Sequence, residues 1–261
     1  MANYDGVVSD AAYDRIGVGY SAVRAPDPKI AAAIDAALGG ARTVLNVGAG
    51  TGSYEQLGRD VTAVEPSTEM IRQRPPDAAP VVQATAEDLP FDDDSFDAAM
   101  AIISDHHWSD REAGMAELCR VARERVVIVN ADPSLAPRFW LSRDYLPAFL
   151  DSVPAPYRRA GHWAEELQGM LGEIDVRPVP IPHDCRDGFY YAYWRRPHAY
   201  LDERVRAGIS IFHQLPEATV AAALDRLRRD LEDGTWDARY AELRERDELD
   251  VGLRLVVARV G

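Results

Sequence analysis

Apolar residues along this chain keep two alternating rhythms. Short, mostly apolar runs containing β-branched side chains lie at residues 43–47, 61–65, 80–83, 96–103, 125–130, 174–179 and 249–260, and each reads as a buried strand. Between them apolar positions recur every three or four residues, the period of a helix with one buried face. Ile30, Ala33, Ile34, Ala37 and Leu38 make such a face behind Asp27-Pro28, a capping aspartate and a first-turn proline, and Gly39-Gly40 stops it. Ala113, Ala116, Leu118, Val121 and Ala122 make a second face behind Ser109-Asp110-Arg111-Glu112, which has the form of a capping box. Val220, Leu224, Leu227 and Leu231 make a third between Pro216 and Gly234, and Pro197 opens a further helix that reaches Arg206. Strands alternating with helices predict an α/β fold.

The rhythm breaks in three stretches. Residues 1–26 read as loop, with Tyr13, Tyr20 and Arg24 standing out. From 133 to 172, five prolines punctuate short helices that carry Phe139, Trp140, Tyr145, Phe149 and Trp163. Following the fifth strand, these helices are expected over the open edge of the sheet as a lid that walls a substrate site. Each aromatic taken singly still reads as packing before ligand contact. Residues 187–194, DGFYYAYW, are an aromatic block compatible with a strand or a short turn of the same cap.

Composition narrows the function. A hydrophobic share of 47% is ample for a large core, and no run of eighteen apolar residues is present to span a membrane. The start, Met1-Ala2-Asn3-Tyr4-Asp5, has neither the basic nor the apolar part of a secretory signal. Cys119 and Cys185 stand far apart and outside any CxxC pattern, so structural thiols in a reducing cytoplasm are expected and a zinc site is not. The net charge of −14 argues against a nucleic-acid backbone as partner and for a small-molecule substrate. Asp92-Asp93-Asp94 lacks the glycine and distal glutamate of a calcium loop and reads as a solvated turn; no metal is expected.

The chemistry gathers after the first strand. Gly48-Ala49-Gly50-Thr51-Gly52 places three glycines at spacing two, which lets the backbone turn sharply and a ligand approach without meeting a Cβ. The dinucleotide fingerprint G-x-G-x-x-G would need glycine where Ser53 stands, and no Gly-Lys-Ser/Thr follows for a phosphate loop. The second strand ends on Glu65, thirteen residues beyond Gly52, where a carboxylate can take both hydroxyls of a ribose. Only SYEQLGRD joins the two strands, close to the minimum for a parallel crossover, so its helix is expected to be a turn or two with its N–H groups aimed at the ligand. Further on come Ala84-Thr85-Ala86-Glu87-Asp88-Leu89-Pro90-Phe91 and, at the end of the fourth strand, Ser104-Asp105-His106-His107-Trp108.

With these segments the sequence resembles the class I S-adenosylmethionine-dependent methyltransferases, in the group called methyltransferase type 11. The likeness is dense from about Thr43 to Asn130 and thinner beyond, where residues 195–202 are similar to a stretch common in bacterial members. It implies a Rossmann-like seven-stranded mixed sheet of order 3-2-1-4-5-7-6, the last strand antiparallel, flanked by helices. The chain then divides into a cofactor-covering segment and helix (1–42), a cofactor-binding core (43–132), a helical lid (133–172) and the completion of the sheet with cap elements (173–261). The implied cofactor is S-adenosylmethionine, leaving as S-adenosylhomocysteine. Gly48, Ala49, Gly50 and Gly52 would form its loop, Glu65 with Pro66 and Met70 its ribose side, Ala86 and Glu87 its adenine side, and Ser104 its floor. Arg24 is the candidate partner of the methionine carboxylate, with a solvated surface arginine as the alternative. Asn46 stands where the family usually has an acid, Thr85 where it has an aspartate, and the usual glycine pair before strand five is missing.

A sulfonium methyl is already electrophilic, so transfer needs mainly in-line positioning and exclusion of water. A base matters only for a hydroxyl, a carbon acid or a protonated amine. His106 and His107 are the candidates, since imidazole titrates near neutrality. Strand alternation would point them in opposite directions and favours His107; packing is the alternative role. The expected activity is methyl transfer to oxygen or nitrogen of a small, largely apolar acceptor in secondary metabolism, by a monomer or homodimer. Two readings stand beside it: a non-enzymatic cofactor-binding protein on the same fold, and an NAD-dependent oxidoreductase, which Ser53 and Glu65 disfavour.

Overall fold

The computed structural model describes residues 24–55 and 58–261; Tyr13 and Tyr20 lie outside them. The seven strands of the main sheet are β1 (Thr43–Val47), β2 (Asp60–Val64), β3 (Val81–Val82), β4 (Phe96–Ile102), β5 (Ala122–Ala131), β6 (Ile174–Pro178) and β9 (Leu253–Arg259), in the order β3-β2-β1-β4-β5-β9-β6. All neighbours are parallel except β9, which runs against both β5 and β6. With β9 counted as the seventh strand, this is the expected order 3-2-1-4-5-7-6. A separate two-stranded ribbon pairs β7 (Ile181–Pro182) with β8 (Glu248–Leu249), and a short helix, α2 (Thr68–Arg72), follows β2. The apolar run expected as one strand over 249–260 is therefore two, parted by a turn in which Gly252 takes φ 110°.

Alternation along the central strands sends side chains to two apolar layers. Val44, Ala98, Met100, Val127 and Val129 face one layer, with α1 (Pro28–Leu38) and an aromatic cap. Leu45, Val47, Ala99, Ala101, Val126 and Ile128 face the other, with α3 (Arg111–Val121) and the helix His162–Leu171. Burying β1, β4 and β5 on both faces explains why their sequences are near-continuous apolar runs. Asp27 caps α1 as its sequence predicts, its Oδ1 accepting from Lys29 N at 2.9 Å and Ile30 N at 3.3 Å.

Several local expectations change. The N-cap of α3 is Asp110, which accepts from Ala113 N at 3.0 Å, and not Ser109, whose hydroxyl turns to Glu87. The buried face of α3 is Gly114, Met115, Leu118 and Val121; Ala116 is exposed. Trp108 explains the shift, because its ring lies where a Cβ on Gly114 would sit, 2.4 Å away. Chain direction reverses after α3 without a glycine turn, since β5 begins at the next residue, Ala122. In the crossover from β1 to β2 no described residue is helical; Thr51 to Tyr54 form turns, and Tyr54 itself takes φ 64°. The predicted helix from Pro197 to Arg206 is broken at Asp202, which caps Glu203–Ala207 by accepting from Arg204 N at 2.9 Å. The aromatic block 187–194 is built of bends and turns.

In the stretch expected as a lid, a 3-10 segment (Pro133–Arg138), a π-helical turn (Leu141–Tyr145) and α4 (Pro147–Ser152) bury Phe139, Trp140, Leu141 and Tyr145. Trp140 packs edge-on against Tyr200 and Trp236, and its Nε1 donates to Trp194 O at 2.8 Å. Helix His162–Leu171 lies against α3 and beside β6, in the layer that flanks the sheet. No helix among the described residues is long and apolar enough to cross a membrane.

Candidate active site

Parallel strands end together, and here the ends of β1, β4 and β5 open onto two adjoining cavities. One, of about 290 Å³, is walled by the glycine loop, the end of β2 and the loop 85–87. The other, of about 180 Å³, lies between the β4 and β5 ends and the aromatic cap. Arg24, Ile103 and His107 belong to both walls. Ile103 takes φ 53°, a left-handed conformation costly for a β-branched residue, as the chain leaves the sheet between the cavities.

The larger cavity collects nearly all of the expected cofactor residues: Arg24, Asn46, Gly48, Ala49, Gly50, Glu65, Pro66, Met70, Ala86, Glu87 and Ser104. Gly52 is off the wall; its φ is 98°, and a Cβ there would lie 3.2 Å from both Ala78 and the Glu55 carboxylate. Gly48, at φ 71°, has its missing Cβ 2.6 Å from Ser104 Cβ, so the loop can lie on the β4 end only with glycine. Ser104 holds the same crossing from below, donating Oγ to Val47 O at 2.9 Å.

Glu65 is buried and accepts one backbone N–H on each oxygen, Gly50 N at 2.7 Å and Ser67 N at 3.0 Å. A carboxylate has about four acceptor positions, so two backbone donors do not by themselves fill it. Asn46, 2% exposed, donates Nδ2 to Glu55 Oε1 at 3.2 Å, while its Oδ1 has no hydrogen-bond partner among the described residues. A buried amide oxygen without a donor on a cavity wall suits a ligand cation such as an ammonium. The acid absent at position 46 has a counterpart behind it: Glu55, buried, is paired with Arg74 at 2.6 Å. Thr85, Ala86 and Glu87 line the far wall. Burial pushes the Glu87 carboxyl up, but donors from Asp110 N, its own N–H, Ser109 and Thr85 outweigh that and hold it below its ordinary value.

Arg24, its side chain 10% exposed, is ion-paired with Asp187, NH2 reaching Oδ2 at 3.3 Å and Nε the other oxygen. Asp187 is fully buried and also accepts from Tyr54 Oη at 2.9 Å. Nothing in the sequence pairs residues 163 positions apart, and this latch was not foreseen. Asp105, Asn130 and Arg111 were missed as well. Asp105 is fully buried, with Arg111 at 2.8 Å on Oδ2 and the Asn130 amide on Oδ1. The parallel pairing of β4 with β5, Ile102 opposite Val129, brings Asp105, just past the end of β4, to Asn130 near the end of β5, a register that no single segment of the sequence announces.

His106 and His107 lie in a 3-10 turn, Asp105–His107, and not on strand β4. Their rings are therefore neighbours, 3.8 Å between centroids, and do not face opposite ways. His106 faces only the smaller cavity, with Nδ1 3.0 Å from Asn130 Nδ2. Burial lowers its pKa, Asp105 pulls it back up, and Arg111 and Arg24 lower it further. His107 is pushed well below the ordinary imidazole range by burial, then by His106 and Arg24.

A sheet of this order, with a glycine loop after β1 and an acid after β2, is the architecture of nucleoside-binding α/β proteins. A family profile described as a methyltransferase domain, type 11, matches residues 45–129. The crystal structure of a protein assigned as a methyltransferase from an antibiotic biosynthesis pathway of Anabaena variabilis superposes with a TM-score of 0.82 and 34% identity, covering 90% of this chain and 98% of that one. The chain belongs to the class I S-adenosylmethionine-dependent methyltransferases of the type 11 group. An uncharacterized methyltransferase of Mycobacterium tuberculosis is 39% identical over 90 residues, 32% of this chain and 36% of that protein. An O-methyltransferase of Aspergillus sclerotiorum is 32% identical over 157 residues, 55% of this chain and 58% of that protein. The chain thus spans between a third and three-fifths of these curated relatives.

Proposed function

We propose that this protein is a methyltransferase that carries the methyl of S-adenosylmethionine to an oxygen or nitrogen of a small, largely apolar acceptor. The observation that carries the reading is the meeting of two cavities at Ile103, His107 and Arg24. In this reading the larger takes the cofactor. Asn46 Oδ1 receives the methionine ammonium, Glu65 the ribose hydroxyls, and Ala86 with Glu87 borders the adenine. Arg24 stands on the same wall for the methionine carboxylate, held in place by Asp187. The cofactor supplies an electrophilic methyl; what remains for the chain is to align the acceptor and keep water out.

The smaller cavity suits an aromatic or alicyclic acceptor. Phe149, Tyr157, Trp163, Phe189, Tyr190 and Ile211 form its apolar wall, while Asp105, His106, Arg111 and Asn130 give one polar side. From the stretch expected as a lid, Pro133, Phe149, Tyr157 and Trp163 line it; the pathway setting of the Anabaena relative favours secondary metabolism, and the Aspergillus O-methyltransferase favours an oxygen acceptor. Two free cysteines favour a reducing, cytoplasmic setting, and the acidic charge favours a small molecule over nucleic acid.

Calorimetry with S-adenosylhomocysteine on the full chain tests the cofactor, and a methyl-labelled cofactor offered with a metabolite extract tests transfer. Saturable binding with label recovered in a small molecule is the expected result. Failure of well-folded protein to bind the cofactor would overturn the proposal. Binding with no label transferred to any acceptor would leave a non-enzymatic cofactor-binding protein.

A further inference from the structure

Asn130 fixes which nitrogen of His106 carries the proton. Its Oδ1 accepts from Ala131 N at 2.8 Å, so the other end of the amide is the NH2 group. That group has two hydrogens and two neighbours, the Asp105 carboxylate and His106 Nδ1 at 3.0 Å. Turning the amide over would set its oxygen against the Asp105 oxygen and its NH2 against the Ala131 N–H. The network therefore has one consistent arrangement, in which His106 Nδ1 accepts and the neutral ring is protonated at Nε2. A cationic ring would direct Nδ1–H at an NH2 group.

We propose that His106 is a fixed hydrogen-bond donor to the acceptor and not its base, and that the smaller cavity takes an aromatic compound whose acidic hydroxyl arrives already ionised. This rests on the methyltransferase reading. With Nδ1 turned to Asn130, Nε2–H is the polar group that the ring offers an incoming oxygen. Asp105, the carboxylate on the same turn, is already engaged by Arg111 and Asn130. Arg111 comes from α3, Arg24 shares the cavity wall and lowers the ring's pKa, and His107 adjoins it. Across the cavity, burial and then Glu166 push Tyr157 up to about 12, and burial raises Tyr190 as well, so neither phenol is a base near neutrality. An acceptor that is already an oxyanion needs none. Its lone pair forms the C–O bond as the C–S bond breaks, its negative charge cancels the sulfonium charge, and no proton is released. A donor aimed at the oxygen fixes which hydroxyl of a polyhydroxylated ring faces the cofactor.

Two measurements test this on the full chain. Nitrogen NMR of the protein labelled in histidine, between about pH 6 and 8, should show His106 in the Nε2–H form without titration. An Nδ1–H form or a midpoint in that range overturns the proposal, whatever the enzyme's activity. Turnover of a panel of phenols and hydroxyquinones with labelled S-adenosylmethionine is the second. His106→Gln keeps a donor but no usable base, and its kcat/KM should stay within about tenfold of the parent, whereas His106→Ala should lose about 10²-fold. Equal loss in both variants means a base, and no loss in either means that the ring does not touch the acceptor; each overturns the proposal. The pH midpoint of kcat/KM should move with the pKa of the phenol used, and a midpoint common to all phenols overturns it. Absence of turnover with every phenol rejects the substrate class, while cofactor binding and transfer to another acceptor would keep the methyltransferase reading.

Discussion

Glu65 ties two backbone N–H groups with one side chain, so its removal acts on the loop as well as on a ligand. Glu65→Ala is expected to weaken S-adenosylhomocysteine binding by about 1–3 kcal/mol in calorimetry; an unchanged dissociation constant would take Glu65 out of the site. Gly48→Ala meets two obstacles, a φ of 71° and Ser104 at 2.6 Å, and should lower stability by about 1–3 kcal/mol in urea unfolding. The histidines predict a pH response. Their folded pKa values lie below the ordinary imidazole value, so below about pH 6.5 the unfolded chain binds protons that the folded chain refuses. Stability should therefore fall as pH drops from about 6.5 towards 5.5, by up to about 1.4 kcal/mol per histidine over that unit, and His107→Gln should flatten the decline in urea midpoints. Single residues were legible where chemistry demands a type at a spacing, as at Gly48, Gly50 and Glu65. Asp187 and Asn130 were not, because their meaning comes from partners far along the chain.

At the scale of elements, Asp110 and Ser109 separate two roles that the capping-box pattern had merged. Asp110→Ala removes the cap of α3 and should cost about 1 kcal/mol in thermal or chemical unfolding. Ser109→Ala should leave the helix nearly unchanged, because that hydroxyl binds Glu87 on the wall of the larger cavity. Strands β1, β4 and β5 were legible because burial on both faces writes itself as apolar runs. The register of α3 was not, since alanine fits a buried or an exposed face equally and the decisive residue, Gly114, is the one without a side chain. The cap was the hardest to read. Trp140, Tyr200, Trp236 and Tyr240 cluster in space from separate short segments, and no period along the chain announces such a group.

Across the whole molecule, Asp187 joins the start of the described chain to its second half. Removing its charge leaves Arg24 buried opposite a neutral group, and Asp187→Asn should cost about 3–5 kcal/mol in unfolding experiments and weaken cofactor binding with it. The sheet has a comparable dependence. β9 follows β5 and β6 in the chain yet lies between them, and β6 has no other neighbour in the sheet. During synthesis, both flanking strands must emerge and wait with raw edges until β9 arrives to fill the slot. A partly made chain is therefore an adhesive object, open to pairing with its own kind, and a protein shortened before Leu253 is expected in inclusion bodies rather than in solution.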